Sequence, residues 1–451
     1  MAKILFYAML WLGKLINKIM PLFRKNGGSM IIGKLALKMD KQFIKKFKNI
    51  DYNKVIMVTG TNGKTSATNM LKNSLETDGL EVACNSEGAN MLSGIATLLI
   101  KNSTLTGKFN KEYMVLEIDE RSLEGIYKQL PAGKLCITNL LKDQAQRNGD
   151  PDFIYSKFEK VINKNMTLFL NNEEPRSKGL EEKAGKVIYY GVEQNVRTFK
   201  KDDFFNVTLP CPKCSSKIKY NYYNLENVGN FECTECNYAS EKRPNVLVRN
   251  IDYNNKTFEC DNVSYEVNYT APFYIYNYAL NIAVCRQLRI ATHIIKEAFS
   301  EFENPYERRE VFEYKGKTIR YMRMKQENPE TLQNILNDVA QDEKLKAVII
   351  GLFEIKDFDP TYTNTFYFWD CEFKGIVNTE VEKYISFSKS VAYDTTNRMI
   401  YSGVDKDKMI TMDTDDAIEV LKQLDDIETD NIYLITGMKP YKEIKKFFEE
   451  Q

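Results

Sequence analysis

Val55-Ile-Met-Val-Thr-Gly-Thr-Asn-Gly-Lys-Thr65 decides the architecture of this chain. A short β-branched run ends in Thr-Gly, and Ser66–Glu76 follows with helical character, so the segment reads as buried strand, tight loop, helix. That context is what a phosphate-binding loop requires. Gly60 and Gly63 let the backbone approach phosphates closely. Thr61, Asn62 and the start of the helix supply N–H groups and positive potential. Lys64 is placed to pair with terminal phosphates, and the Thr65 hydroxyl to reach Mg²⁺. The loop is shorter than the general G-x-x-x-x-G-K-T pattern, whose first glycine would fall at Val58.

The strands downstream repeat the theme. Met114-Val-Leu-Glu-Ile-Asp-Glu120 is apolar and then breaks into carboxylates. A hard cation beside a triphosphate needs oxygen ligands. Glu117 is the first candidate, with Asp119 and Glu120 behind it; the competing reading is an exposed acidic loop. Further apolar runs at Tyr113–Ile118 and Leu135–Leu140 alternate with helical stretches, which implies a parallel sheet covered on both faces. After Glu310 a second α/β unit begins. Its strand candidates are Thr318–Met324, Ala347–Ile350 and Ile432–Ile435, and its helix candidates Leu332–Asp342 and Asp415–Leu424. The chain therefore reads as a helical, basic segment over 1–48, a nucleotide-binding α/β domain over 49–304, and a Rossmann-like α/β domain over 305–451.

Residues 205–245 interrupt the pattern. Cys211-Pro-Lys-Cys214 and Cys233-Thr-Glu-Cys236 are two Cys-x-x-Cys pairs eighteen residues apart. This spacing is that of a ribbon holding tetrahedral Zn²⁺ on four thiolates. Four thiolates leave no open position, so such a site is structural. Two disulfides or a redox pair are the alternatives. Tyr220, Tyr222, Tyr223 and Phe231 lie between the knuckles and suit the core of a small module. Cys84, Cys136, Cys260, Cys285 and Cys371 read as small buried hydrophobes. An odd total of nine cysteines fits a reducing cytoplasm.

Composition narrows the function. The chain has 451 residues, 43% hydrophobic and 28% charged, with a net charge of +1. That balance argues against general attraction to nucleic acid. With one histidine, His293, read as a helix-face or core residue, the chain has little means to house its own Cys-His or Ser-His-Asp site. At the N-terminus, apolar residues recur at helical spacing between Lys14, Asn17, Lys18 and Lys25. The run is broken too early to span a bilayer. Such a helix either packs on its own domain or lies on an anionic membrane, here through residues 1–25.

The form Gly60-Thr-Asn-Gly-Lys-Thr65 resembles the Mur ligase superfamily, which includes folylpolyglutamate synthases. With the Cys₄ ribbon inserted, the chain is similar to the MurT family, synthetase subunits of lipid II isoglutaminyl synthase. The likeness is carried by Gly33-Lys-Leu-Ala-Leu-Lys38, Asn85-Ser-Glu-Gly-Ala-Asn90, Thr138-Asn-Leu-Leu-Lys-Asp-Gln-Ala-Gln-Arg147, Tyr276-Asn277, Arg308-Arg-Glu310 and Asn328-Pro329. It departs from the family at Gln146, where an Asp is usual, at Lys325, set two residues further from Asn328-Pro329, and at Thr436-Gly-Met-Lys439, which lacks a Tyr.

This resemblance implies a Mur ligase-type central domain with ATP and Mg²⁺ at the loop, Asn277 near the adenine, and Arg308 opening the last domain. It implies amidation of the D-glutamate α-carboxylate of lipid II to D-isoglutamine through an acyl phosphate. Ammonia would come from a GatD-like glutamine amidotransferase subunit, at the inner face of the membrane. The family lends that partner an acid from its last domain. Asp357-Phe-Asp-Pro-Thr-Tyr-Thr-Asn-Thr-Phe-Tyr-Phe-Trp-Asp370 resembles the loop that carries it, with Asp370 and Asp359 as candidates and Asn364 in place of one acid. Solvated loop acids are the competing reading. Two other functions remain in play: an amino-acid-adding ligase with the same loop, and an ATPase whose ribbon, near Lys213, Lys217, Lys219 and Lys242, reads nucleic acid.

Overall fold

The computed structural model describes the chain except residues 1, 20–29, 86–88, 143–150, 202–208, 305–308, 326–327, 355–364, 438–439 and 451. It divides into a unit of Met1–Leu141 with Pro151–Asn304 and a second unit built on Pro305–Gln451.

The first unit holds strands Val55–Thr59 (β1), Val82–Cys84 (β2), Tyr113–Glu117 (β3), Lys134–Ile137 (β4), Thr167–Asn171 (β5) and Lys186–Val192 (β6). After Ile218–Leu225 (β7) and Val228–Cys233 (β8) come Val246–Asp252 (β9), Thr257–Cys260 (β10) and Val263–Glu266 (β11). Among the described residues, nine strands form one sheet in the order β11-β10-β9-β6-β5-β4-β1-β3-β2. Pairing is parallel from β2 to β9, and β9, β10 and β11 close the edge as antiparallel neighbours.

Strand β1 lies between β3 and β4 with all five residues buried, and its side chains alternate between two cores. Ile56 and Val58 face helices Lys64–Thr77 and Pro272–Gln287 through Met70, Leu71, Ile275 and Ala279. Val55 and Met57 face the opposite layer, with Ile95, Leu99, Ile126 and Phe158. Each fully buried side chain of this size stabilises the fold by about 1.5–3 kcal/mol, which is why a strand without polar alternation sits here. Helices Ala2–Ile19 and Ile31–Met39 belong to that second layer, burying Phe6, Leu10, Ile32 and Ala36 on it.

The Cys-rich insertion is a two-stranded antiparallel hairpin, β7 with β8, around its own core of Ile218, Tyr220, Tyr223, Phe231 and Tyr238. Tyr220 stacks on Tyr223 at 4.5 Å between ring centroids. Tyr222, expected in the same core, is only half-buried. Of the other cysteines, Cys136, Cys260, Cys285 and Cys371 are buried as expected, while Cys84 is half-buried.

The second unit carries Arg309–Tyr314 (β12), Lys317–Arg323 (β13), Lys346–Gly351 (β14), Val381–Phe387 (β15), Met409–Met412 (β16) and Asn431–Thr436 (β17). Their order is β12-β13-β17-β14-β15-β16, parallel except for the β12–β13 hairpin. Asn328 is fully buried and caps helix Pro329–Ala340, its side chain accepting from the Thr331 N–H at 2.7 Å. The stretch expected as a helix over Asp415–Leu424 splits into a short α-helix, Ala417–Leu421, and a 3₁₀ turn, Lys422–Asp426.

Candidate active site

The loop after β1 takes a shape only glycine tolerates at two places. Gly60 has φ +126° and Gly63 φ +87°. A Cβ on Gly60 would stand 2.7 Å from the Asn139 carbonyl, and one on Gly63 2.9 Å from Asn277 Oδ1. The Asn62 N–H donates to Asn139 Oδ1 at 2.9 Å, and Asn139 Nδ2 returns a bond to the Asn62 carbonyl at 3.1 Å. The buried Thr61 hydroxyl donates to the Leu141 carbonyl at 3.1 Å and accepts the Leu141 N–H at 2.9 Å. Thr61 is thus a brace between the two loops. Thr65, in the first turn of the helix, is partly exposed.

Lys64 does not point into solvent. Its ammonium donates to the Gly60 carbonyl, to the Thr61 carbonyl at 3.2 Å and to Glu120 Oε1 at 2.7 Å. Both side chains of that ion pair are buried. Glu120 thus occupies one of the directions in which the lysine can donate. The sequence reading, with Glu117 first and Asp119 and Glu120 behind it, did not include the pairing of Glu120 with Lys64. Asp119 caps a turn instead, accepting from the Arg121 N–H at 3.1 Å.

Glu117 is held from both sides. Asn85 accepts the Glu117 N–H and donates to the Glu117 carbonyl, each at 2.8 Å, and Asn90 Nδ2 donates to Glu117 Oε1 at 3.1 Å. The other oxygen, Oε2, is buried and has no hydrogen-bond partner among the described residues. An oriented carboxylate with one orphaned oxygen, at a strand end next to the phosphate loop, suits a hard cation. Asn277 is buried against Gly63 with its Nδ2, a donor that suits an acceptor atom and not a cation, unpartnered among the described residues. Asn85 and Asn90 were legible only as part of a resemblance; a polar residue fixing a backbone leaves no periodic signal.

Two carboxylates that the sequence reading passed over organise the floor of the site. Glu174 is buried, caps the turn at Pro175–Lys178 and accepts the Leu140 N–H at 3.0 Å, so it fixes the loop that braces Thr61. Glu173 accepts from the Val192 N–H at 2.9 Å and from Asn172 Nδ2 at 3.1 Å. Burial pushes its carboxyl up to about 7. Because the folded value exceeds the unfolded one, this group's contribution is fully present below about pH 4.3 and is lost as pH rises through 7. The loss is about 3 kcal/mol. We expect the melting temperature to fall from about pH 5 to about pH 8, and Glu173→Gln to flatten that slope. An equal slope in both proteins would show that the charge of Glu173 does not matter.

The four ribbon cysteines converge. Their sulfur atoms all lie within 4.8 Å of one another, with Cys211 Sγ 3.7 Å from Cys236 Sγ and Cys214 Sγ 3.5 Å from Cys233 Sγ. Tetrahedral Zn–S bonds of about 2.3 Å require S···S separations of about 3.8 Å, so the set fits zinc. The Lys213 N–H and Glu235 N–H donate to Cys211 Sγ (3.4 Å) and Cys233 Sγ (3.5 Å). None of the four is in a disulfide. The ribbon is bonded to the first unit through the Gly229 N–H to the Glu173 carbonyl, 2.9 Å, and Tyr238 OH to the Pro175 carbonyl, 2.6 Å.

In the second unit, Asp370 is exposed at the end of helix Phe366–Trp369, beside Trp369, which is 42% exposed. Asp359 and Arg308 lie outside the described residues. His293 is exposed on helix Thr292–Ser300.

Comparison with known proteins follows this geometry. Residues 58–285 match the Mur ligase middle domain, and residues 326–438 the MurT ligase C-terminal domain. The fold is shared with a pseudomurein peptide ligase type C from Methanothermus fervidus (TM-score 0.67, 22% identity, 91% of this chain and 81% of that one). It is shared also with MurF from Acinetobacter baumannii (TM-score 0.63, 13% identity, 92% and 80%). The chain belongs to the Mur ligase family and is an ATP-dependent ligase. Within that family it is similar to the MurT subunits of lipid II isoglutaminyl synthase (glutamine-hydrolyzing). The subunit from Streptococcus pneumoniae is 26% identical over 94% of this chain and 93% of its own length. That from Staphylococcus aureus is 26% identical over 83% of each.

Proposed function

We propose that this chain is the ATP-consuming subunit of a glutamine-dependent amidotransferase. It converts the α-carboxylate of D-glutamate in the lipid II stem peptide to the amide of D-isoglutamine. The observation that carries this reading is the match to MurT subunits along both units of the chain, joined to a phosphate loop whose lysine and carboxylate are poised in separate roles.

ATP supplies the phosphoryl group that makes the carboxylate an acyl phosphate and gives it a leaving group that ammonia displaces. The chain's own residues do the rest. Lys64 neutralises charge on the terminal phosphate, where stabilisation of the transition state resides. Backbone N–H groups at the start of the helix, from Gly63 to Thr65, hold the phosphates, while those of Thr61 and Asn62 are bonded to Asn139 and fix the loop. Glu117, through its orphaned oxygen, and Thr65 would hold Mg²⁺, and Asn277 and Arg308 contribute to the nucleotide site. Cys211, Cys214, Cys233 and Cys236 would hold Zn²⁺, which is structural. Ammonia comes from a GatD-like glutaminase subunit, toward which the second unit presents Asp370, with Asp359 as the other candidate acid; the lone, exposed His293 is consistent with hydrolysis of glutamine elsewhere.

Purified chain should release orthophosphate only when lipid II and ammonium are both present, and the product should show the mass change of a carboxyl-to-amide exchange. Turnover driven by an amino acid in place of ammonia would convert the reading to that of an amino-acid-adding ligase. Glu117→Gln removes a cation ligand and should raise the Mg²⁺ concentration needed for half-maximal turnover at least about tenfold, the usual cost of a lost ligand contact. An unchanged Mg²⁺ dependence would take Glu117 out of the site.

A further inference from the structure

The first two helices are apolar on more than the side they bury. Phe6, Met9 and Leu10 of helix Ala2–Ile19 are in the core, yet Ile4, Trp11, Leu15 and Ile19 are 74%, 53%, 55% and 41% exposed. At about 100° per residue, these four and Leu12 fall within an arc of about 100° roughly opposite the buried set. Helix Ile31–Met39 repeats the arrangement: Ile32 and Ala36 are buried while Ile31, Leu35 and Met39 are exposed. Of the nineteen large hydrophobic side chains exposed among the described residues, nine lie within the first 39 residues. A helix apolar on both sides ordinarily has a neighbour on both.

Charge identifies what covers the open side. Residues 1–39 contain seven Lys and Arg and no Asp or Glu; the first acid is Asp40. The whole chain carries only +1, so the rest of it is net negative and the positive charge is concentrated here. Lys3, Lys18, Lys34 and Lys38 are exposed and flank the apolar arcs. The pair is anchored rather than loose. Trp11 Nε1 donates to the Leu105 carbonyl at 2.9 Å, Lys14 donates to the Ile100 carbonyl at 2.8 Å, and Gly33 packs directly on the Ser93 backbone. No helix among the described residues is long and apolar enough to cross a membrane.

We propose that the exposed faces of these two helices form a docking surface for an anionic phospholipid bilayer, lying in the headgroup region with their lysines on the lipid phosphates. The inference stands on this surface alone and is independent of the amidation reading.

Removing residues 1–25 would not test it, because Phe6 and Leu10 are core residues. Point variants of the full chain do. Intact protein should co-sediment with phosphatidylcholine vesicles containing about one third phosphatidylglycerol and not with pure phosphatidylcholine vesicles. Leu15→Glu with Leu35→Glu should weaken that partitioning at least about tenfold, with melting temperature unchanged. Should those variants fold poorly, Lys18→Gln, Lys34→Gln and Lys38→Gln together decide, and should weaken partitioning several-fold and reduce its salt dependence. The proposal is overturned if intact protein ignores the anionic vesicles, or if it partitions as strongly as the well-folded variants. A dimer in solution that the glutamate variants dissolve also overturns it, since a second copy would then cover the face.

Discussion

Lys64→Ala should lower ATP-dependent turnover by at least about a hundredfold, the scale on which loss of one preorganised charge at a transferring group is felt. Activity alone cannot interpret that variant, because Lys64 also neutralises Glu120 in a buried ion pair of 2.7 Å. Removing one partner of a buried ion pair costs about 3–5 kcal/mol. Lys64→Ala is therefore expected to be both inactive and destabilised. Lys64→Ala with Glu120→Gln separates the effects: the second change removes the buried charge that Lys64 faced, so the melting temperature should recover part of the loss while turnover stays low. Recovery of turnover with stability would mean that the lysine serves the fold and not the phosphate. Failure of both to recover would mean that Glu120 has its own part in the reaction.

The residues that the sequence exposed and those it hid differ in a physical way. The phosphate loop and the cysteine knuckles were legible because their chemistry depends on fixed local spacing: glycines where φ is positive, cysteines paired three positions apart. Strands β1, β3, β4, β14 and β17 announced themselves as apolar runs because they are interior parallel strands buried on both faces. Strand β15, Val381–Phe387, did not, as Glu382 and Lys383 dilute its run, and neither did β16, Met409–Met412, a short, half-buried strand at the sheet's edge. The pairing of Lys64 with Glu120, the bracket of Asn85 and Asn90 on Glu117, and the cap of Glu174 on the Leu140 N–H each join residues from 27 to 56 positions apart. Such pairings have no period and become visible only when the sheet sets its strand ends side by side. The basic apolar N-terminus was legible as amphipathic, but its two apolar sides, one spent on the core and one open, needed coordinates.

Loss of the ribbon metal should have the second largest effect, and its reach should exceed the ribbon. The hairpin's own core is a handful of side chains around Tyr220, Tyr223 and Phe231. A module this small does not stay folded on apolar burial alone, and a structural zinc is worth about 10–16 kcal/mol in isolated zinc peptides. Cys233→Ser, or stripping the metal with a strong chelator, should abolish bound zinc, open the segment around Leu209–Glu241 to protease and lower the melting temperature by several degrees. The disturbance has a route inward. The ribbon holds the Glu173 carbonyl through Gly229 and the Pro175 carbonyl through Tyr238. Between them sits Glu174, which holds the Leu140 N–H, and the adjoining Leu141 is bonded to Thr61 of the phosphate loop. Zinc loss should accordingly raise the KM for ATP several-fold while affecting kcat less, because the loop is loosened and its lysine is retained. A chelated protein with native protease resistance and native KM would show that the four sulfurs hold no structural metal. Equal loss in kcat and KM terms would instead trace the damage to global unfolding, which the melting curve would show independently.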